Sequence, residues 1–298
     1  MKAAVSPSTG KPYGLARACR VLEIARSTVY AVRARAAVPR ERGKRGPRTA
    51  ESDTQLLERI REVLSAAPFH GEGHRKVWAR LRFKGVRTSM RRVLRLMREA
   101  GLLVPSREGR AHGPAAHDGT ITTERPDQMW GIDATATVTT QEGTAAIFIA
   151  VDHATAECVG IHAARAATRF EALEPLRQGV REHFHGYGPE VARGLALRHD
   201  HGSAFTSDLF QTELRFLGIA SSPAFVREPE GNGCAERIIR TLKEQVLWVR
   251  TFRTLEELRL ALLDFKVRYN TQWIIARHGY LTPSQARAKL LASVEVAA

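Results

Sequence analysis

The sequence predicts an α/β protein: a mixed five-stranded sheet flanked by helices, preceded by small all-helical units. Three observations predict it. From residue 128 onward, short apolar runs alternate with helix-period patterns in the order β-β-β-α-β-α-β-α. Before residue 105 only helix-period patterns occur. Charge divides along the same line: residues 1–50 hold 12 basic and 2 acidic groups (+10), residues 51–110 hold 14 and 7 (+7), and residues 111–298 carry −2 of the total +15. A basic front third joined to a near-neutral remainder suggests a polyanion-binding region beside a differently employed globular one.

Other classes are disfavoured. No stretch of 18 apolar residues exists and the N-terminus lacks an apolar leader core, so neither a membrane-spanning nor a secreted protein is expected. Cys19, Cys158 and Cys234 are odd in number and far apart, which fits a reducing cytosol better than a disulfide scaffold or a zinc site.

Residues 1–38 read as a helix-turn-helix arm. Leu15, Cys19, Leu22 and Ile24 form an imperfect apolar stripe, Ser27 is an N-cap for a second helix, and that helix exposes Arg33 and Arg35. An arbitrary basic helical arm fits the same pattern. Residues 39–51 read as a basic linker, with no apolar residue from Pro39 to Arg48.

Residues 52–104 predict a second helix-turn-helix unit. A helix capped by Ser52 or Asp53 buries Leu56, Leu57, Ile60, Val63 and Leu64, and Pro68 ends it. After Gly71-Glu72-Gly73, residues 74–84 form a helix with Val77, Trp78 and Leu81 inside. Thr88 starts the third, with Met90, Val93, Leu94 and Met97 inward, Gly101 as its cap, and Arg91, Arg92, Arg95 and Arg98 outward. That arginine-lined face points to DNA contact over a merely solvated surface. Residues 105–127 lack periodicity and read as a linker, with His112 and His117 solvated.

Residues 128–250 carry the sheet. Met129–Val138 alternates, with Trp130, Ile132 and Ala134 on one face and Asp133 on the other. Gln141-Glu142-Gly143 is a hairpin signal, Ala145–Val151 a buried central strand, and Cys158–His162 the third strand. A helix over 168–184 buries Phe170, Leu173, Leu176, Val180 and Phe184. Leu195–Arg198 is the fourth strand, Ser207–Leu217 a helix closed by Gly218, and Ile219–Ser222 the fifth strand. After a loop with Pro223, Pro229, Gly231 and Gly233, one long helix spans Cys234 to Val249. Residues 251–298 are a helical extension that opens with the capping box Thr254-x-x-Glu257 and buries Leu255, Leu258, Leu262, Phe265 and Tyr269. Trp248 and Trp273 read as packing residues, and His183 and His185 as a solvated helix end.

Three carboxylates stand where this plan makes them special: Asp133 mid-strand, Asp200 at the carboxyl end of the fourth strand, and Glu236 in the first turn of the helix after the glycine-rich loop. Taken singly, each has an ordinary explanation: a tolerated edge residue, a turn-former and a helix-dipole partner. Together, with 35 residues between the last two, they point to one crevice. Three acidic groups with open coordination positions suit Mg²⁺ or Mn²⁺. Two such ions about 3.5–4 Å apart would polarise a phosphodiester and activate an attacking hydroxyl.

Trp130-x-x-Asp133, then Asp200-His201-Gly202-Ser203-x-Phe205-Thr206-Ser207, then Pro229-x-Gly231-Asn232-x-x-x-Glu236 with Lys243 seven residues on, resembles the retroviral-integrase-like DDE transposases. The chain is most similar to the second-frame product of bacterial insertion sequences with two overlapping frames. Gly73-x-Arg75 and Val93-x-Arg95-Leu96-Met97 resemble that family's pre-catalytic helix-turn-helix, and Tyr269-Asn270-x-x-Trp273 with Thr282-Pro283 its C-terminal ending. One departure is His201, where the family more often has Arg, Asn or another polar residue.

The resemblance implies an RNase H-like core at 128–250, with Asp133, Asp200 and Glu236 as catalytic metal ligands for Mg²⁺ or Mn²⁺, two ions per site. It implies cleavage and strand transfer at element ends, with DNA contacts at Asn232, Arg240 and Lys243 joined by Arg75, Lys76, Arg91, Arg92 and Arg95 of the helical unit. Expected partners are double-stranded DNA, further copies of the chain, and the first-frame protein, because the fused product carries a further N-terminal region. A nucleoid-associated cytoplasmic location follows, with no membrane. A DNA-binding regulator derived from such an enzyme and a purely hydrolytic RNase H-like nuclease are the alternatives.

Overall fold

The computed structural model describes residues 5–37, 51–104, 123–224 and 232–297. Residues 39–50 of the expected linker 39–51, residues 105–122 of the expected linker 105–127 with His112 and His117, and Pro229 and Gly231 lie outside the described residues.

Three strands form an antiparallel meander, β1 (Met129–Thr139), β2 (Gly143–Asp152) and β3 (Cys158–Ala164). The short strands β4 (Ala196–His199) and β5 (Ala220–Pro223) add in parallel beyond β1, giving the order β3-β2-β1-β4-β5. This is the RNase H-like arrangement, a mixed five-stranded sheet flanked by helices.

Both faces are covered, which is why β2 reads as a continuous apolar run. Ala146, Phe148 and Ala150 pack in one layer with α6 (Arg169–His183) and α8 (Asp208–Leu217). Ala145, Ile147, Ile149 and Val151 pack in the other with α9 (Gly233–Leu242) and α10 (Leu255–Gln272). Between β4 and α8 lies the single turn α7 (Ser203–Thr206). Trp130 and Ile132 belong to the first layer. Gly179 of α6 makes room for Trp130, since a Cβ there would stand 2.8 Å from the indole.

The free edge of β3 is blunted by side chains. Arg259 donates to Ala163 O (2.9 Å), Lys266 to Val159 O (3.1 Å), and Gln178 Oε1 accepts from Ile161 N (3.1 Å). Such capping removes a template for strand addition.

The helical unit comprises α3 (Asp53–Ser65), α4 (His74–Phe83) and α5 (Met90–Glu99) around Leu56, Ile60, Val63, Val77, Leu81, Val93, Leu96 and Met97. Ser52 and Gln55 form a reciprocal capping box. The third helix is capped by Ser89, not Thr88, because the Ser89 hydroxyl accepts from Arg92 N while Thr88 O accepts from the Trp78 indole. Residues Glu51–Ala298 cluster as one compact unit, and Met1–Ala50 as another. Within the latter, α1 (Leu15–Val21) and α2 (Arg26–Ala37) enclose Cys19, but Leu22 and Ile24 of the expected stripe are exposed. Two short helices are too few to cover them.

Further differences have local causes. Ala134 is exposed because β1 outruns the layer over it. The helix expected from Cys234 to Val249 changes at Lys243 into a π-helical turn (Lys243–Leu247), beyond which Trp248 is 69% exposed rather than packed. His183 is half-buried against Trp130, 5.9 Å between ring centroids, so it is not a solvated end. At the start of α10 the Thr254 hydroxyl accepts from Glu257 N, but the Glu257 carboxylate accepts from Arg253 N. A second C-terminal helix, α11 (Pro283–Ala297), begins with a Thr282–Gln285 capping box. Its Arg287 grips Asp127 with two hydrogen bonds (2.6 and 3.0 Å) and also pairs with Glu157.

Candidate active site

Parallel pairing of β4 with β1 matches Gly131 to Arg198, so Asp200, two residues further along β4, emerges beside Asp133 on the neighbouring strand. Asp133 opposes Ile149 of β2, and its carboxylate accepts from Ala134 N (2.8 Å). Burial pushes its pKa up to about 6, and repulsion from Asp200 and Glu236 adds to the rise; the Ala134 N–H and the Lys243 ammonium pull the other way. Asp200, Glu236 and Lys243 are therefore each within electrostatic reach of Asp133.

Asp200 sits in a tight turn, its Oδ1 accepting from Gly202 N at 2.8 Å. The turn is pinned from both sides. Buried His199 donates from Nδ1 to Asp200 O (2.7 Å), which leaves Nε2 to accept from the Ser221 hydroxyl (2.9 Å). His201 donates from Nε2 to Ala224 O (2.7 Å), so the residue that departs from the family pattern ties this turn to the end of β5.

Glu236 is exposed in the first turn of α9, its pKa raised by partial burial. What places it is Asn232. Asn232 is 5% exposed and donates from Nδ2 to Ile132 O (3.0 Å), joining the start of α9 to the strand just before Asp133. Gly131 permits this approach: a Cβ there would stand 2.7 Å from Asn232 Oδ1 and 2.8 Å from the buried His153 ring. Sequence reasoning singled out Asn232 but not Gly131, His153 or His199. A glycine inside a strand two residues before an aspartate is the signal that points to such a close approach.

The expected DNA contacts separate into three groups. Arg75 and Arg91 are exposed on the helical unit, and Lys243 lies at the acidic site. Arg92 and Arg95 both bind Asp53 (2.7 Å each), with Arg92 also donating to Glu51 O and Arg95 to Glu99. Arg240 forms a surface pair with Glu244 (3.1 Å). Lys76 turns inward, its Nζ 2.9 Å from the centroid of the Trp273 ring, and Asn232 faces the core rather than solvent.

Among the described residues no three His, Cys, Asp or Glu side chains are gathered closely enough to hold an ion as they stand. The donor set is nonetheless suited to one. All three groups offer carboxylate oxygens, the chemistry hard divalent cations select, and their mutual repulsion at Asp133 is what such a cation would relieve. No helix of the described residues is long and apolar enough to cross a membrane.

Comparison with known proteins agrees with this architecture. Residues 51–110 match the HTH-like domain family and residues 217–283 the integrase core domain family. Glu236 and Lys243 fall inside the second segment; Asp133 and Asp200 precede it. The chain is 27% identical over 297 residues to the transposase for insertion sequence element IS629 of Shigella sonnei, covering 95% of this chain and 94% of that one. It is 25% identical to the transposase InsD for insertion element IS2D of Escherichia coli K12, over 79% and 78% of the two chains. Among solved structures, the catalytic core domain of BIV integrase aligns at 19% identity with a TM-score of 0.41, over 57% of this chain and 99% of that one. The chain thus combines an HTH-like domain with an integrase-type core in one polypeptide similar to insertion-sequence transposases.

Proposed function

We propose that this chain is an insertion-sequence transposase of the DDE type, a polynucleotidyl transferase that cuts a DNA strand at an element's end and joins the freed end to a second duplex. The observation that carries this reading is that Asp200 from the end of β4, Glu236 from α9 and Lys243 each lie within electrostatic reach of Asp133 on β1. The similarity over 95% of the chain to one such transposase supports it.

In this reading Asp133, Asp200 and Glu236 would hold Mg²⁺ or Mn²⁺, two ions per site, which would supply charge neutralisation at the phosphodiester and activation of the attacking hydroxyl. Water attacks the phosphodiester at the element's end, breaking a P–O bond and freeing a 3′-hydroxyl. That hydroxyl then attacks a target phosphodiester in line, forming one P–O bond and expelling the target's own 3′-oxygen. No covalent enzyme intermediate is needed, so the protein's task is positioning. Lys243, seven residues and two turns after Glu236 on the same helical face, is placed to meet a phosphate. Asn232 and Gly131 set the first turn of α9 against β1. Arg75, Arg91 and the other exposed cations of the helical unit at 52–104 grip the duplex, with the 1–38 arm a second basic contact. Holding two element ends at once calls for at least two protomers, and the first-frame protein is the further partner this reading assigns.

Retention of all three carboxylates separates this reading from a regulator built on the same fold. The test is incubation of the purified chain with Mn²⁺ and a labelled duplex carrying its element's end, beside Glu236→Gln. Nicking by the unmodified chain alone is the expected result; equal nicking by both would overturn the assignment. A second labelled duplex in the same reaction reports joined strands, which a purely hydrolytic nuclease does not make.

A further inference from the structure

The loop between α3 and α4 is seated in the body that carries the acidic site. Phe69, 3% exposed, belongs to the core cluster of Ile238, Leu242 and Val246, and meets Trp273 edge-on with ring centroids 4.8 Å apart. The next residue is held through its backbone: Gln245 Oε1 accepts from His70 N (2.8 Å) and Gln245 Nε2 donates to His70 O (3.0 Å). On either side, Arg268 donates to Pro68 O (3.3 Å) and Arg80 of α4 donates to Gln272 O (3.3 Å).

Gln245 lies on the rod that begins with α9. Gln245 stands nine residues past Glu236, the last two steps inside the π-helical turn, so it lies about 13 Å along the axis and roughly half a turn round from Glu236. Seven residues past Glu236, Lys243 leaves on the same side as Glu236, and the π-helical turn begins there. One face of this helix thus serves the acidic site and the other binds the loop that leads into α4. An amide that satisfies both backbone groups of one residue fixes orientation as well as distance, as a paired strand does. A single hydrogen bond would leave rotation free.

We infer that this seat is a ruler. By locking the helical unit to the Glu236 helix, Gln245 fixes which phosphodiester reaches the acidic site once α4 and α5 have gripped the duplex. Gln245 is then a positioning residue for the choice of cleavage position, touching neither DNA nor metal. The inference rests on the transposase reading above and deepens it.

The experiment is cleavage by the full chain in Mn²⁺, with products mapped at single-nucleotide resolution on a duplex bearing the element's end. The unmodified chain is expected to cut at one position. Gln245→Ala is expected to keep total cleavage within about threefold, yet spread it over several adjacent positions, with duplex affinity unchanged and the unfolding temperature lowered by about 2–4 °C. Gln245→Glu keeps the acceptor for His70 N and the side-chain length, so it serves if the alanine variant is unstable, and its spread should be intermediate. A single sharp product from a folded Gln245→Ala, at full or reduced yield, overturns the ruler and leaves the transposase reading intact. No cleavage by the unmodified chain, alone or with the first-frame protein added, defeats the transposase reading, and the ruler with it.

Discussion

The side-chain amide of Asn232 donates to the carbonyl of Ile132 at 3.0 Å, so the residue opening the Glu236 helix is bonded to the residue preceding Asp133. Two of the three carboxylates are thereby held in register by one hydrogen bond across a strand that has no side chain at Gly131. Gly131→Ala puts a Cβ 2.7 Å from Asn232 Oδ1 and 2.8 Å from His153 Nε2, and both neighbours are buried. The crowding should cost about 1–3 kcal/mol of stability. Because relief displaces the Asn232 side chain from Ile132 O, cleavage should fall by at least about tenfold, while duplex affinity stays within twofold. Unfolding melts, a binding titration and the nicking assay check the three parts, and undiminished nicking would refute the role given to the Asn232 bridge.

The acidic site makes a separate prediction about metal. Asp133→Asn retains shape and loses the charge a cation needs, so cleavage should be abolished and duplex binding kept. Without DNA, millimolar Mn²⁺ should raise the unfolding temperature of the unmodified chain, because a ligand bound only by the folded state stabilises it. Asp133→Asn and Glu236→Gln should each lose most of that rise. A full rise in both variants would place the metal elsewhere.

The residues behind these expectations differ in how far the sequence discloses them. β2 is legible because two-sided burial demands an unbroken apolar run, and Asp133 stands out because charge is normally avoided in mid-strand. Helix caps are legible to within a residue: Ser89 takes the role that Thr88 could have filled, a choice decided by the Trp78 indole binding Thr88 O. Arg92, Arg95 and Lys76 show the limit. Spacing puts them on a basic helix, but Asp53 claims the two arginines and Trp273 covers the lysine, and both partners are distant in sequence. The same holds for Gln245, whose value comes from a loop backbone 175 residues away.

That limit separates two kinds of cation on the helical unit. Arg91 is exposed, whereas the Lys76 ammonium lies against Trp273. Arg91→Ala should weaken duplex binding and flatten the plot of log affinity against log salt by about one unit of slope. Lys76→Met should change neither. Comparable losses from both substitutions would return Lys76 to the DNA-facing surface.

Lys76 instead controls how the seat of the helical unit responds to pH. Burial lowers its pKa from the ordinary 10.5 to about 7, with Glu72 opposing the shift and Arg80 adding to it. Among the described residues its Nζ has no hydrogen-bond acceptor, and it rests on the Trp273 face. Between pH 7 and 10.5 the unfolded chain therefore keeps a proton that the folded chain has released, so this lysine makes stability rise with pH across that window. Below about pH 7 both forms are charged, and the folded one bears the full cost of burial. Methionine fills similar volume without charge. Lys76→Met should unfold at a higher temperature than the unmodified chain at pH 7, by about 2–4 °C, and the difference should shrink towards pH 10. Other groups titrate alike in both proteins, so the difference between the two melting curves isolates Lys76. A gap that stays constant over that range would show that the folded lysine keeps its proton as the unfolded one does, and would refute the lowered pKa.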